Sequence, residues 1–221
     1  MSSVRRKSPF QSTIGRKFIV GLTGLFLITF LIVHLSGNFL LFKSDGGVAF
    51  NAYGEFMATN PIIRVMEIVL FAGLLGHIVM ALTVSKNYNE ARPVKYKRTS
   101  GQTSSFFSRF MLVSGIIVLL FLILHFANFF VPHRFMEEEM TLYDRVSHIL
   151  GQPVYAGAYL VSMVLLCFHL LHGFQSAFQT LGLQVNNKLH RVINGIGIVF
   201  AIVVSLGFAS MPVYFLMKAM S

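Results

Sequence analysis

Residues 18–42, FIVGLTGLFLITFLIVHLSGNFLLF, run without a charged side chain and carry one histidine, His34, about two thirds of the way along. Such a stretch reads as a transmembrane helix, because about twenty apolar residues at about 1.5 Å each span a hydrocarbon core of about 30 Å. Three further charge-free runs repeat the pattern: residues 68–85 with His77, 110–133 with His125, and 146–187 with His169. The last is too long for one span, and its helix is expected over 154–178. A fifth run, 192–217, contains no histidine. Of the 221 residues 55% are hydrophobic and 12% charged, and the mean hydropathy is +0.69, which excludes an ordinary soluble domain. The expected fold is all-α, an integral membrane five-helix bundle over residues 16–221, preceded by a basic tail over 1–15.

An imidazole in hydrocarbon is costly without a partner, so each intramembrane histidine is a functional-site candidate. Their depths follow from the flanking residues. His34 lies 17 residues after Lys17 and His125 lies 16 after Arg109, while His77 and His169 each lie 16 after a proline, Pro61 and Pro153. If successive spans alternate in direction, each histidine sits roughly 24 Å from the point where its helix enters the membrane. His34 and His125 then share one level, His77 and His169 the other, with roughly 15 to 20 Å between levels.

Of the 18 basic residues, 13 fall on one side: Arg5, Arg6, Lys7, Arg16, Lys17, Lys86, Arg92, Lys95, Lys97, Arg98, Arg109, Lys188 and Arg191. Seven of the eight acids, all but Glu90, fall on the other. The positive-inside tendency makes the N-terminus cytoplasmic and the C-terminus external. His77 and His169 become the inner level, His34 and His125 the outer. The net charge of +10 is an orientation or lipid-contact signal rather than a nucleic-acid footprint, since no soluble domain remains to carry one.

Cys167 is the only cysteine, which excludes a disulfide framework, a cysteine-ligated cluster and thioether-bound haem. A di-iron carboxylate site lacks its Glu-x-x-His pattern. Paired imidazoles from different helices, without intramembrane carboxylates or thiolates beside them, suit the two axial positions of a haem iron. Two stacked b-type haems are expected, against the plainer reading in which each histidine ties helices together by a hydrogen bond. On the fourth helix His172 follows His169 by three residues on nearly the same face. His169 is preferred as ligand because its offset from Pro153 repeats that of His77 from Pro61, leaving His172 as the alternative. His133, His148 and His190, near span ends, are expected to be interfacial. Gly21 and Gly24, Gly73 and Gly76, and Gly195 and Gly197 are expected to admit a close backbone or porphyrin approach.

The stretches IVHLSGN around His34, AFNAYGEFM and NPIIRVME before His77, LILH around His125, and FHLLHGFQSAFQTLG around His169 together resemble a known family. It is the five-helix, two-haem cytochrome b membrane anchor of bacterial succinate:quinone oxidoreductases, the succinate dehydrogenases and fumarate reductases. The likeness runs from about Ile14 to Phe215. It implies that the first four helices supply the haem ligands, first with third and second with fourth. It also implies docking of an iron-sulfur subunit that carries a flavoprotein, with electrons relayed to a membrane quinone, menaquinone being the expected one. The anchor itself does not oxidise succinate, and the implied location is the bacterial cytoplasmic membrane. Glu67 and Glu55 are the carboxylates placed to exchange protons with quinone at the outer level, although Glu67 also stands three residues from Arg64, at ion-pair spacing. Phe168 precedes His169 where certain fumarate-reducing relatives carry a carboxylate, which favours the succinate-oxidising direction. A haem anchor of a hydrogenase or formate dehydrogenase, or a proton-coupled transporter, are the alternatives.

Overall fold

The computed structural model describes residues 12–90, 106–136 and 140–221, with backbone only at 87–90 and 106–109. Arg5, Arg6, Lys7, Arg92, Lys95, Lys97, Arg98, Glu137, Glu138, Glu139 and the side chains of Glu90 and Arg109 lie outside the described residues, as does most of the expected tail.

Among the described residues there is no strand, and five helices are long and apolar enough to cross a membrane. The spanning helices are α1 (Thr13–Asn38), α3 (Pro61–Glu90), α4 (Phe106–His125), α7 (Pro153–Thr180) and α8 (Asn187–Met220). Three shorter helices, α2 (Val48–Thr59), α5 (Val131–Phe135) and α6 (Leu142–Leu150), lie between them. Charge did not mark the helix ends, because polar side chains cap them further out. Ser12 Oγ accepts from Gly15 N–H at 2.9 Å, Asn60 Oδ1 from Ile62 N–H at 3.0 Å, and Asn186 Oδ1 from Leu189 N–H at 2.8 Å. Each satisfies a first-turn donor that would otherwise be orphaned. Pro61 and Pro153 open α3 and α7 at the position where a missing N–H costs nothing. The second span therefore starts at residue 61, not 68, and holds Arg64 and Glu67 within its first turns.

Helix α1 packs against α3, α7 and α8, and α7 packs against α4 and α8. The Phe71 ring on α3 meets Phe126 and Phe130, which follow α4, at 5.5 and 5.1 Å. The order around the bundle is thus α1, α3, α4, α7, with α8 outside against α1 and α7. Helices α1 and α4 face each other across one diagonal, α3 and α7 across the other. Every histidine expected to pair is placed on a diagonal rather than on neighbouring helices.

Two segments of the basic-poor side, α2 and α6, are helical as well. Their shared anchor is Tyr143: its N–H donates to Asn51 Oδ1 at 2.9 Å, its hydroxyl accepts from Lys218 Nζ at 3.1 Å, and its ring meets Phe215 at 5.8 Å. Gly47, which precedes α2 at φ +90°, sits so close that a Cβ would stand 2.2 Å from Tyr143 Cγ. Gly46 shares the left-handed conformation, at φ +65°, but meets nothing within 4 Å. Gly46→Ala should cost only the backbone term, about 1 kcal/mol, whereas Gly47→Ala adds an overlap and should cost about 3 kcal/mol. Thermal unfolding of the two variants in detergent measures the difference.

Candidate functional site

The outer level is built where α1 and α4 end. His34 and His125 face each other with ring centroids 5.8 Å apart and planes at 88°. Two imidazoles holding one ion between them, with bonds of about 2 Å on each side, would stand roughly 6 Å apart by the same measure. Around them is an aromatic shell. Phe30 stacks on His34 at 5.2 Å and Phe208 lies at 5.6 Å; Phe121, Phe129 and Tyr159 surround His125 at 5.7, 5.4 and 6.3 Å.

The chain directly after His125 changes its winding. Residues Phe126–Phe130 form a π-helical turn that leads into α5, where Pro132 occupies the second position. Proline has no N–H to return to the carbonyl four residues back, so the Asn128 carbonyl is released. Arg145 on α6 donates to that oxygen at 3.4 Å, and the Asn128 side chain donates to the Tyr159 hydroxyl at 3.2 Å. Asn128 is buried, and these bonds satisfy it while fastening α4, α6 and α7 together beside His125. The sequence signal was present in Pro132, although Asn128 and Tyr159 were not singled out.

At the inner level His77 Nδ1 lies 3.1 Å from Thr23 Oγ1 on α1. Each ring rests on a glycine of the opposite pair of helices. A Cβ at Gly24 would be 3.4 Å from His77 Cε1, and one at Gly115 would be 3.5 Å from His169 Cε1. Gly24 stands ten residues before His34, and Gly115 ten before His125. Along straight helices this puts the two levels about 15 Å apart. Gly115 was missed by sequence reasoning because nothing but its offset from His125 distinguishes it.

The residues suit a porphyrin iron on two independent counts. Their donor sets are imidazoles drawn from facing helices, and among the described residues no group of three or more His, Cys, Asp or Glu side chains competes for a metal. His125 Nδ1 and His169 Nδ1, one at each level, are buried and hydrogen-bonded to no described protein group, a condition that calls for a partner.

The acids lie apart from these rings. Glu67 is ion-paired with Arg64 one turn away, both partly buried, and Glu55 is exposed on α2 rather than in a loop. His133, His148 and His190 are exposed at span ends; His148 pairs with Gln152, and His190 with Gln184 and Asn194. Among the described residues no cluster of three or more His, Cys, Asp or Glu side chains could hold a bare metal ion.

Comparison with known proteins places these observations in a lineage. The model of the succinate dehydrogenase/fumarate reductase transmembrane subunit family matches residues 88–209, just over half of the chain. The succinate dehydrogenase cytochrome b558 subunit of Bacillus subtilis (strain 168) is 27% identical over 184 residues, covering 82% of this chain and 84% of that protein. No solved structure matches.

Proposed function

Because the chain belongs to the succinate dehydrogenase/fumarate reductase transmembrane subunit family, we propose that it is the anchor that relays electrons between an iron-sulfur subunit and membrane quinone through two b-type haems. The reading rests above all on the facing imidazoles of His34 and His125 at 5.8 Å. In it, His34 and His125 hold the outer haem, and His77 and His169 the inner one. A bound haem supplies a one-electron couple in the low-dielectric interior.

The chain's own part is to fix, shield and space those couples. Imidazoles on diagonal helices would hold each haem, and glycines at 24 and 115 let the inner rings approach the backbone. Phe30, Phe121, Phe129 and Phe208 hold water away from the outer pair. The basic face is read as cytoplasmic, docking the iron-sulfur subunit that carries the flavoprotein in the bacterial cytoplasmic membrane. Quinone, with menaquinone as the reading, exchanges at the outer end, where Glu67 and Glu55 are the carboxylates available to move its protons. Family membership sets aside the hydrogenase, formate dehydrogenase and transporter alternatives.

The test is a reduced-minus-oxidised spectrum of the purified complex, with haem extracted and counted per chain. Two low-spin b-type haems are expected. A folded, colourless preparation, or one haem per chain, overturns the reading.

A further inference from the structure

We infer that Thr23 is the positioning residue for His77: its hydroxyl fixes the tautomer of that ring and thereby sets the potential of the inner haem apart from the outer one. The inference rests on the two-haem reading above. Thr23 is the polar residue in a run of apolar ones on α1, and its own hydrogen is already committed. Its Oγ1 lies 2.7 Å from the Ile19 carbonyl and 3.2 Å from that of Val20, so the hydroxyl donates back into its own helix. What it offers His77 Nδ1, 3.1 Å away, is a lone pair. An acceptor at that position requires an N–H facing it, which places the proton on Nδ1 and leaves Nε2 as the nitrogen with a free lone pair.

The adjacent residue completes the cradle. Gly24, without a Cβ, lets the Cε1 edge of the same ring lie against α1, and so Thr23 and Gly24 together hold both the tautomer and the position of the ring. Such an outer partner increases the basicity of the ligand and favours the ferric state. The arrangement is confined to one ligand of the four, since His125 Nδ1 and His169 Nδ1 have no such acceptor among the described residues.

The experiment is a redox titration of the whole complex in membranes, comparing wild type with Thr23→Val and Thr23→Ser, with low-spin electron paramagnetic resonance of the ferric haems alongside. Thr23→Val keeps the shape of the side chain, so both haems should remain bound. At the wild-type midpoint the ferrous-to-ferric ratio of the inner haem should rise about tenfold, equivalent to about 59 mV for one electron. Its resonance should shift, while the outer haem stays unchanged. Thr23→Ser, which restores the hydroxyl, should titrate as wild type. If Thr23→Val loses the inner haem and Thr23→Ser keeps it at the wild-type potential, the same role is established through affinity. Unmoved midpoints, a shift confined to the outer haem, or a Thr23→Ser shift as large as that of Thr23→Val overturns the inference and leaves the two-haem reading standing. A wild-type complex without two haems overturns that reading itself.

Discussion

Replacing His125 with alanine should leave the complex with one haem per chain in place of two, and the surviving haem should titrate at its wild-type potential. The ring it removes is one half of a facing pair, 5.8 Å from His34 and shielded by Phe121, Phe129 and Tyr159. No other described histidine is placed to substitute: His133 is exposed beyond the π-helical turn. The inner pair lies about 15 Å away along the helices and is carried by α3 and α7, a separation at which substitutions act independently. His34→Ala should therefore reproduce the effect of His125→Ala, and the double variant should lose no more haem than either single one. That non-additivity is the signature of two side chains serving one site. Haem counted per chain and a redox titration with a single remaining wave are the measurements. Loss of both haems from either variant, or further loss in the double variant, would mean that the two rings do not share an iron.

The depths of the histidines were legible in the sequence and the scaffold around them was not, for physical reasons. A helix rises by a constant amount per residue and a bilayer has a constant thickness, so the offsets of His34, His77, His125 and His169 from charges and prolines translate directly into depth. Helix ends were less legible, because Asn60 and Pro61 start α3 seven residues ahead of the charge-free run, and the Arg64–Glu67 ion pair makes those charges tolerable there. The helices α2 and α6 were not legible, since their segments lack the length and apolarity of a span. Their order comes from tertiary contacts such as Tyr143 with Asn51 and Lys218, which no local pattern announces. The π-helical turn after His125 was likewise hidden. It depends on Arg145, seventeen residues further on, reaching the carbonyl that Pro132 leaves free.

The choice between His169 and His172 allows a sharp reciprocal result: His169→Ala should remove the inner haem and spare the outer one, whereas His172→Ala should retain both. The two rings are separated by three residues, about 4.5 Å along the axis and about 60° around it, too far for one to replace the other without moving the helix. It is His169 that rests against Gly115, whose absent Cβ would stand 3.5 Å from Cε1, and it is His169 that carries a buried Nδ1 without a described partner. His172 sits one turn further toward the basic face. A substitution at Gly115 offers an independent check on the same geometry. Gly115→Val places branched carbons where the His169 ring now lies, and should deplete the inner haem while leaving the His34–His125 pair intact. If His172→Ala proves to be the variant that loses the inner haem and Gly115→Val is silent, then the ligand lies one turn away and the inner level moves about 4.5 Å closer to the basic face.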